Sequence, residues 1–168
     1  MSEPFRIEER ESFRVVGYAI HTTNRRKEGR RAIPEQWNTF REQGLQEELM
    51  SKMNQEPKGL LGISVYNTDP DDQRKFDHLI AVSSTCANGE ELVEYTVPAR
   101  TWAIFPCSVE TIGKTEAQAI TKWLPKSAYR PLNTGYITGK MKTGAPDIEY
   151  YGSAGEVEVW VAVTKNKR

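Results

Sequence analysis

The most regular alternation of apolar and polar residues lies near the C-terminus. Every second residue from 157 to 163 is valine, and the positions between hold Glu158, Trp160 and Ala162. A period of two is typical of a β-strand with one buried face. Residues 146–151 precede this strand across the short link 152–155, so we predict a β-hairpin.

The two faces of the second arm differ in chemistry. We expect the valine face to pack against helices. We expect Glu158 and Trp160 to point into a groove, with Glu149 and Tyr151 of the first arm beside them on the same face. A carboxylate among aromatic rings is costly to bury unless a cation or a hydrogen-bond donor meets it. The hairpin is therefore the candidate functional centre.

The first segment whose apolar residues have helical spacing follows the polar stretch 24–31, which we interpret as a loop. Pro34 is predicted to open this helix, where its missing N–H costs nothing. Trp37 and Phe40 share one helical face, and Gly44 is expected to end or kink the helix before a further turn or two.

A second helix is predicted to open at Thr115, where residues 115–118 have a capping-box pattern. Ile120 and Trp123 share one face of this helix, and Pro125 stops it. The long segment 127–143 follows, with a candidate short strand at 136–138.

The order of elements repeats along the chain. Strands are predicted at about 13–22, 60–66, 76–82, 92–97 and 100–107 in addition to the hairpin. Repeat 1 (about 6–86) and repeat 2 (about 92–166) each have the order strand, helix, strand, strand. We therefore predict one α+β domain over 1–168. Its tandem pseudo-symmetric βαββ repeats form a mainly antiparallel curved sheet, with two helices on one face and a ligand groove between the repeats.

The repeat provides an internal comparison. Where the first half has Ser64, the second has Glu149, and where the first has Leu79, the second has Trp160. A charge and a large ring therefore replace residues that need only pack. Tyr66 takes the place of Tyr151 in this alignment.

Composition restricts the function classes. Lysine plus arginine and aspartate plus glutamate both total 23, a formal net charge of zero, whereas nucleic-acid binders usually carry a basic excess. No apolar run approaches the ~20 residues of a membrane span, and the N-terminal residues lack a signal-peptide core. We expect a cytoplasmic protein that binds neither nucleic acid nor membrane.

The cysteines and histidines, which could ligate a metal or act in catalysis, do not have the spacing of a metal site or a catalytic site. Cys86 and Cys107 fit a reducing compartment, with no disulfide framework, and neither has a histidine at a catalytic or ligand spacing. His21 and His78 are far apart. The sequence predicts no metal site and no cofactor.

Four segments carry a family resemblance: 99–106 (ARTWAIFP), 123–125 (WLP), 146–151 (PDIEYY) and 156–161 (EVEVWV). With the tandem βαββ order, they resemble the gyrase-inhibitor-like (GyrI-like) small-molecule-binding domain, the effector-binding module of AraC-type and multidrug-sensing bacterial regulators. The resemblance covers nearly the whole chain. The chain shows no helix-turn-helix segment, so we do not expect a complete transcription factor unless a separate chain supplies DNA binding.

The resemblance implies a ligand site in the cleft between the repeats. Lipophilic or cationic molecules bind there among aromatic residues, with a glutamate at the position of Glu149 as the charged anchor. Glu158 is either a second pocket carboxylate or the partner of a basic residue on the rim. The candidate aromatic residues of the cleft are Tyr66, Tyr151, Trp160, Trp102 and Tyr136, the last as a cover over the groove.

Three functions remain open at this stage. The first is a stand-alone protein that binds a small organic, cationic or amphipathic ligand and acts in sensing, sequestration or resistance. The second is a hydrolase of a reactive small molecule with Glu149 as general acid or base. The third is an interaction protein directed at gyrase or at a regulator, with a protein partner or a homodimer.

Overall fold

The computed structural model describes residues 4–167 and has an α+β fold. Within that range there are three α-helices, and nine strands form one sheet. None of the helices in this range is long and apolar enough to span a membrane. The helices are α1 (Gly29–Glu42), α2 (Leu45–Ser51) and α3 (Ile112–Gln118). The strands are β1 (Arg6–Arg10), β2 (Phe13–Thr23), β3 (Gly59–Tyr66), β4 (Lys75–Ser83), β5 (Val93–Val97), β6 (Arg100–Cys107), β7 (Tyr129–Pro131), β8 (Asp147–Gly152) and β9 (Val157–Lys165).

Every strand pair among these residues is antiparallel, in the order β1-β6-β9-β8-β3-β4-β2-β5, with β7 added beside β9. The two halves meet at β3 and β8, where Ile63 lies directly opposite Ile148. These two isoleucines occupy the same place in the two repeats, since the alignment of Ser64 with Glu149 also aligns them. The sheet is therefore pseudo-symmetric about this pair.

The helices lie on one face of the sheet and form two separate apolar clusters. Phe40 of α1 and Leu49 of α2 pack on Leu60 and Ile80 of the first half. In the second half, Val159, Val161 and Val163 pack with Ala119 and Leu124, which follow α3. The prediction that the valine face packs on a helix is confirmed. A gap remains between the two clusters, above the centre of the sheet.

The opposite face of the sheet holds a third cluster. It combines Val15 and Val97, near one edge of the sheet, with Trp102 and Ile104 from the other half. Residues from distant strands can meet in this way only because the sheet curves around them. The predicted α+β class and the mainly antiparallel, curved sheet are both confirmed.

Both predicted helix starts are wrong. Helix α1 begins at Gly29, because the Glu28 carbonyl already accepts from the N–H groups of Arg31 and Ala32, and Pro34 lies inside the helix. Helix α3 begins at Ile112, so the Thr115 N–H is bonded within the helix and needs no cap. The kink between α1 and α2 at Gly44 is confirmed: its φ of 66° is left-handed, which favours glycine.

Two short edge elements also differ from the expectation. The strands β1 and β7 were not predicted, and residues 136–138 form a turn instead of a strand. Strand β1 has four charged residues and one apolar residue, Ile7, so it shows no alternation from which a strand could be predicted.

The faces of the hairpin differ from the prediction because of its register. Tyr151 pairs with Val157, which leaves a five-residue connection where the sequence suggested four. Glu149 therefore lies opposite Val159 on the helix face, whereas a four-residue link would have placed it opposite Glu158. A shift of one residue moves a side chain to the other face of the sheet.

Gly17 shows how closely β2 and β4 pack. A Cβ at this position would overlap the carbonyl oxygen of Ile80 and lie 2.7 Å from Cα of Ala81. We expect Gly17→Ala to lower the free energy of unfolding by about 1–3 kcal/mol through overpacking, measured by urea denaturation. The control is Gly113→Ala in α3, where nothing lies within 4 Å. Equal effects of the two substitutions would contradict the packing argument.

Candidate functional site

A cavity of about 180 Å³ occupies the gap between the two helix clusters. Its floor is the centre of the sheet, where β3 and β8 meet, and its walls come from both halves of the chain. The apolar side chains of the lining come from Ile33, Ile120, Val159 and Val161. The polar lining is supplied by Ser64, Tyr66, His78, Glu116, Tyr136, Asp147 and Glu149.

Three carboxyl groups converge on this cavity. Asp147 and Glu149 come from alternate positions of β8, so both side chains point to the helix face, and Glu116 reaches in from α3. Within residues 4–167 none of the three forms a salt bridge with lysine, arginine or histidine. The cavity therefore carries acidic groups without a basic partner from the described chain.

Tyrosine hydroxyls hold two of these carboxyl groups in place. Tyr66 and Tyr136 donate hydrogen bonds of 2.7 and 2.9 Å to the two oxygens of Asp147. Burial raises the pKa of Asp147 to about 6, although both hydrogen bonds act to lower it. Tyr151 donates to Oε1 of Glu149 at 2.8 Å. Burial also raises the pKa of all three tyrosines, so they remain donors at neutral pH.

His78 is a neutral part of the wall. Its burial lowers its pKa to about 4, against the attraction of Glu149. Gln36 donates its amide N–H to the backbone carbonyls of Tyr18 and His78, so its Oε1 accepts from Nδ1 of His78. The proton is thereby fixed on Nδ1, and Nε2, next to Gly62, is an acceptor on the cavity side.

Glu116 was not recognised from the sequence. Burial raises its pKa well above the usual value of a glutamate, and the neighbouring carboxyl groups of Glu149 and Asp147 raise it further. The capping-box interpretation assigned no role to it beyond the first turn of the helix that Thr115 was predicted to open. The available signal was its position one helical turn before Ile120, on the same helix face.

The structure brings together four of the predicted site residues. Glu149, Tyr66 and Tyr136 line the cavity, and Tyr151 contacts it through its hydrogen bond to Glu149. The Tyr151 ring packs edge-on against Trp37 of α1, with centroids 5.3 Å apart.

The other three predicted residues lie on the opposite face of the sheet, so the expectation that Glu158 and Trp160 share a face with Glu149 is wrong. Trp102 and Trp160 pack together in the core with ring centroids 5.9 Å apart. Glu158 accepts from the Trp160 indole N–H at 3.0 Å and pairs with Arg6 at 2.9 Å. The alternative interpretation of Glu158, a pair with a basic residue, describes its contacts.

Residues 6–163 match the sequence profile of a family described as integron-associated effector binding protein (Cass2). The chain belongs to this family. The resemblance to GyrI-like effector-binding domains is thereby confirmed. The chain is therefore a ligand-binding effector domain. No protein with a curated description matches the chain in sequence.

Solved structures similar to this family member share its fold. One is SAV2435 bound to tetraphenylphosphonium, with 19% identity, a TM-score of 0.74 and coverage of 95% of this chain and 93% of that one. A second structure, of a Staphylococcus aureus protein, is 18% identical, with a TM-score of 0.72 and coverage of 97% of this chain and 99% of that one. An integron cassette protein of Vibrio cholerae is 20% identical, with a TM-score of 0.63 and coverage of 95% of each chain.

Proposed function

We propose that this protein binds a small organic cation in the cavity between its two halves, with Glu149 as the charged anchor. The observation that carries the proposal is the convergence of Glu149, Asp147 and Glu116 on one cavity without a basic partner among residues 4–167. Buried carboxylates are normally paired, and a bound cation supplies the missing charge.

The aromatic lining and the volume support the same ligand class. The rings of Tyr66 and Tyr136 border the cavity and offer apolar surface beside the carboxylates. A dry cavity of about 150 Å³ holds one benzene ring, so a ligand with one ring and one cationic group suits the ~180 Å³ present here. The structurally similar SAV2435 was solved with tetraphenylphosphonium, a lipophilic cation, which supports the choice of cationic probes.

Glu149→Gln tests the anchor. We expect it to weaken binding of benzyltrimethylammonium by about tenfold, or ~1.4 kcal/mol, because the amide keeps the shape of the side chain and removes its charge. Isothermal titration calorimetry measures the change, and tetraphenylphosphonium serves as a second probe. The neutral carbon analogue neopentylbenzene should bind both proteins equally, since it carries no charge for Glu149 to attract.

The matched control is Glu158→Gln, which removes a carboxylate on the neighbouring strand but on the other face of the sheet, paired with Arg6. An unchanged affinity in Glu149→Gln, or an equal loss in Glu158→Gln, would remove Glu149 as the anchor. The hydrolase hypothesis stays a prediction. It requires turnover of an electrophilic substrate that Glu149→Gln abolishes while binding persists.

A further inference from the structure

Glu116 and Glu149 face each other across the cavity from different elements. Glu116 projects from α3 and Glu149 projects from β8, and both side chains line the same cavity together with Asp147. An ionised carboxylate only accepts hydrogen bonds, so two carboxyl groups can bond to each other only when one of them carries a proton.

The surroundings of Glu116 favour retention of that proton. Burial raises the pKa of Glu116, as do the neighbouring carboxyl groups of Glu149 and Asp147. No lysine or arginine of the described chain lines the cavity. The titratable groups that face Glu116 are Asp147, Glu149 and Tyr151 of β8, Cys107 of β6, Tyr66 of β3, His78 of β4 and Tyr136.

We propose that Glu116 is the second carboxyl group of the ligand site, and that it shares with Glu149 a proton which a bound cation displaces. This inference rests on the proposed function. The proton leaves to the solvent as the cation enters, so Glu116 becomes ionised and both carboxylates then contact the ligand's charge. Glu116 thereby couples affinity for a cation to pH.

The sign of the coupling follows from proton linkage. The free protein binds more protons than the complex, so affinity rises with pH between the pKa of Glu116 in the complex and its higher pKa in the free protein. A cation within ~4–6 Å lowers the pKa of a carboxyl group by about 1–3 units. Asp147 and His78, with pKa values of about 6 and about 4, titrate below this window.

The first experiment measures the affinity for benzyltrimethylammonium, whose charge is independent of pH, at pH 7 and pH 9. We expect the wild-type protein to bind about tenfold more tightly at pH 9. Glu116→Gln should bind with the same affinity at both values, because its amide cannot lose a proton. The exposed Glu110→Gln is the matched control and should behave as the wild type.

The second experiment needs no variant. Calorimetry at pH 8 in two buffers of different ionisation enthalpy counts the protons released, and we expect about one-half to one proton per ligand. Binding without proton release, or an equal rise with pH in Glu116→Gln, would overturn the proton exchange while leaving the proposed function intact. If neither benzyltrimethylammonium nor tetraphenylphosphonium binds at pH 7 or at pH 9, both proposals are wrong.

Discussion

Trp160→Ala is expected to lower the free energy of unfolding by about 3–5 kcal/mol, the usual cost of removing a buried aromatic side chain. Trp160 is 1% exposed and lies at the centre of the core on the face opposite the cavity. Its ring stacks on Tyr150 at 5.7 Å and lies under the guanidinium of Arg10 at 4.7 Å, so truncation would leave a void that none of these groups can fill. Urea denaturation measures the loss.

A milder substitution separates stability from binding. Trp160→Phe keeps an aromatic ring but loses the indole N–H that bonds Glu158, so we expect a smaller loss of stability and an unchanged affinity for benzyltrimethylammonium. A loss of affinity in Trp160→Phe without a loss of stability would instead support the original expectation that Trp160 is a wall of the ligand site.

Gly62→Leu is expected to weaken binding of benzyltrimethylammonium by about a hundredfold, or ~2.7 kcal/mol, in a protein that still folds. Gly62 lies opposite Glu149, and a Cβ there would be 3.3 Å from Nε2 of His78 and 3.5 Å from Oε1 of Glu149. A leucine side chain would therefore extend into the space that the ligand needs. Calorimetry measures the affinity, and thermal unfolding checks the fold.

The control for this substitution is Gly62→Ala, whose Cβ fits against Trp37 at 3.4 Å with little displacement and leaves most of the cavity open. We expect it to retain most of the affinity. If Gly62→Leu folds and binds as the wild type does, the ligand does not occupy this cavity.

Local pattern was sufficient for most of the fold. The alternation of valine along β9 and the repeated order strand, helix, strand, strand identified seven of the nine strands within residues 4–167 and the α+β class. Comparison of the two repeats also drew attention to Glu149, which lines the cavity, because packing alone would not place a charge where the first half has Ser64. Both helix starts were predicted wrongly because polar residues at a helix terminus and on an exposed helix face look alike in sequence.

The alternation along the hairpin can be read from its residues alone, but the face that each arm presents depends on how the two arms pair in the folded sheet. One additional residue in the connection pairs Glu149 with Val159, which places Glu149 and Tyr151 on the helix face and leaves Trp160 and Glu158 on the other. The same holds for Glu116, which reaches Glu149 only because α3 packs over β9. Alternation is a property of neighbouring residues, whereas register and the meeting of distant carboxyl groups depend on contacts between elements far apart in the chain.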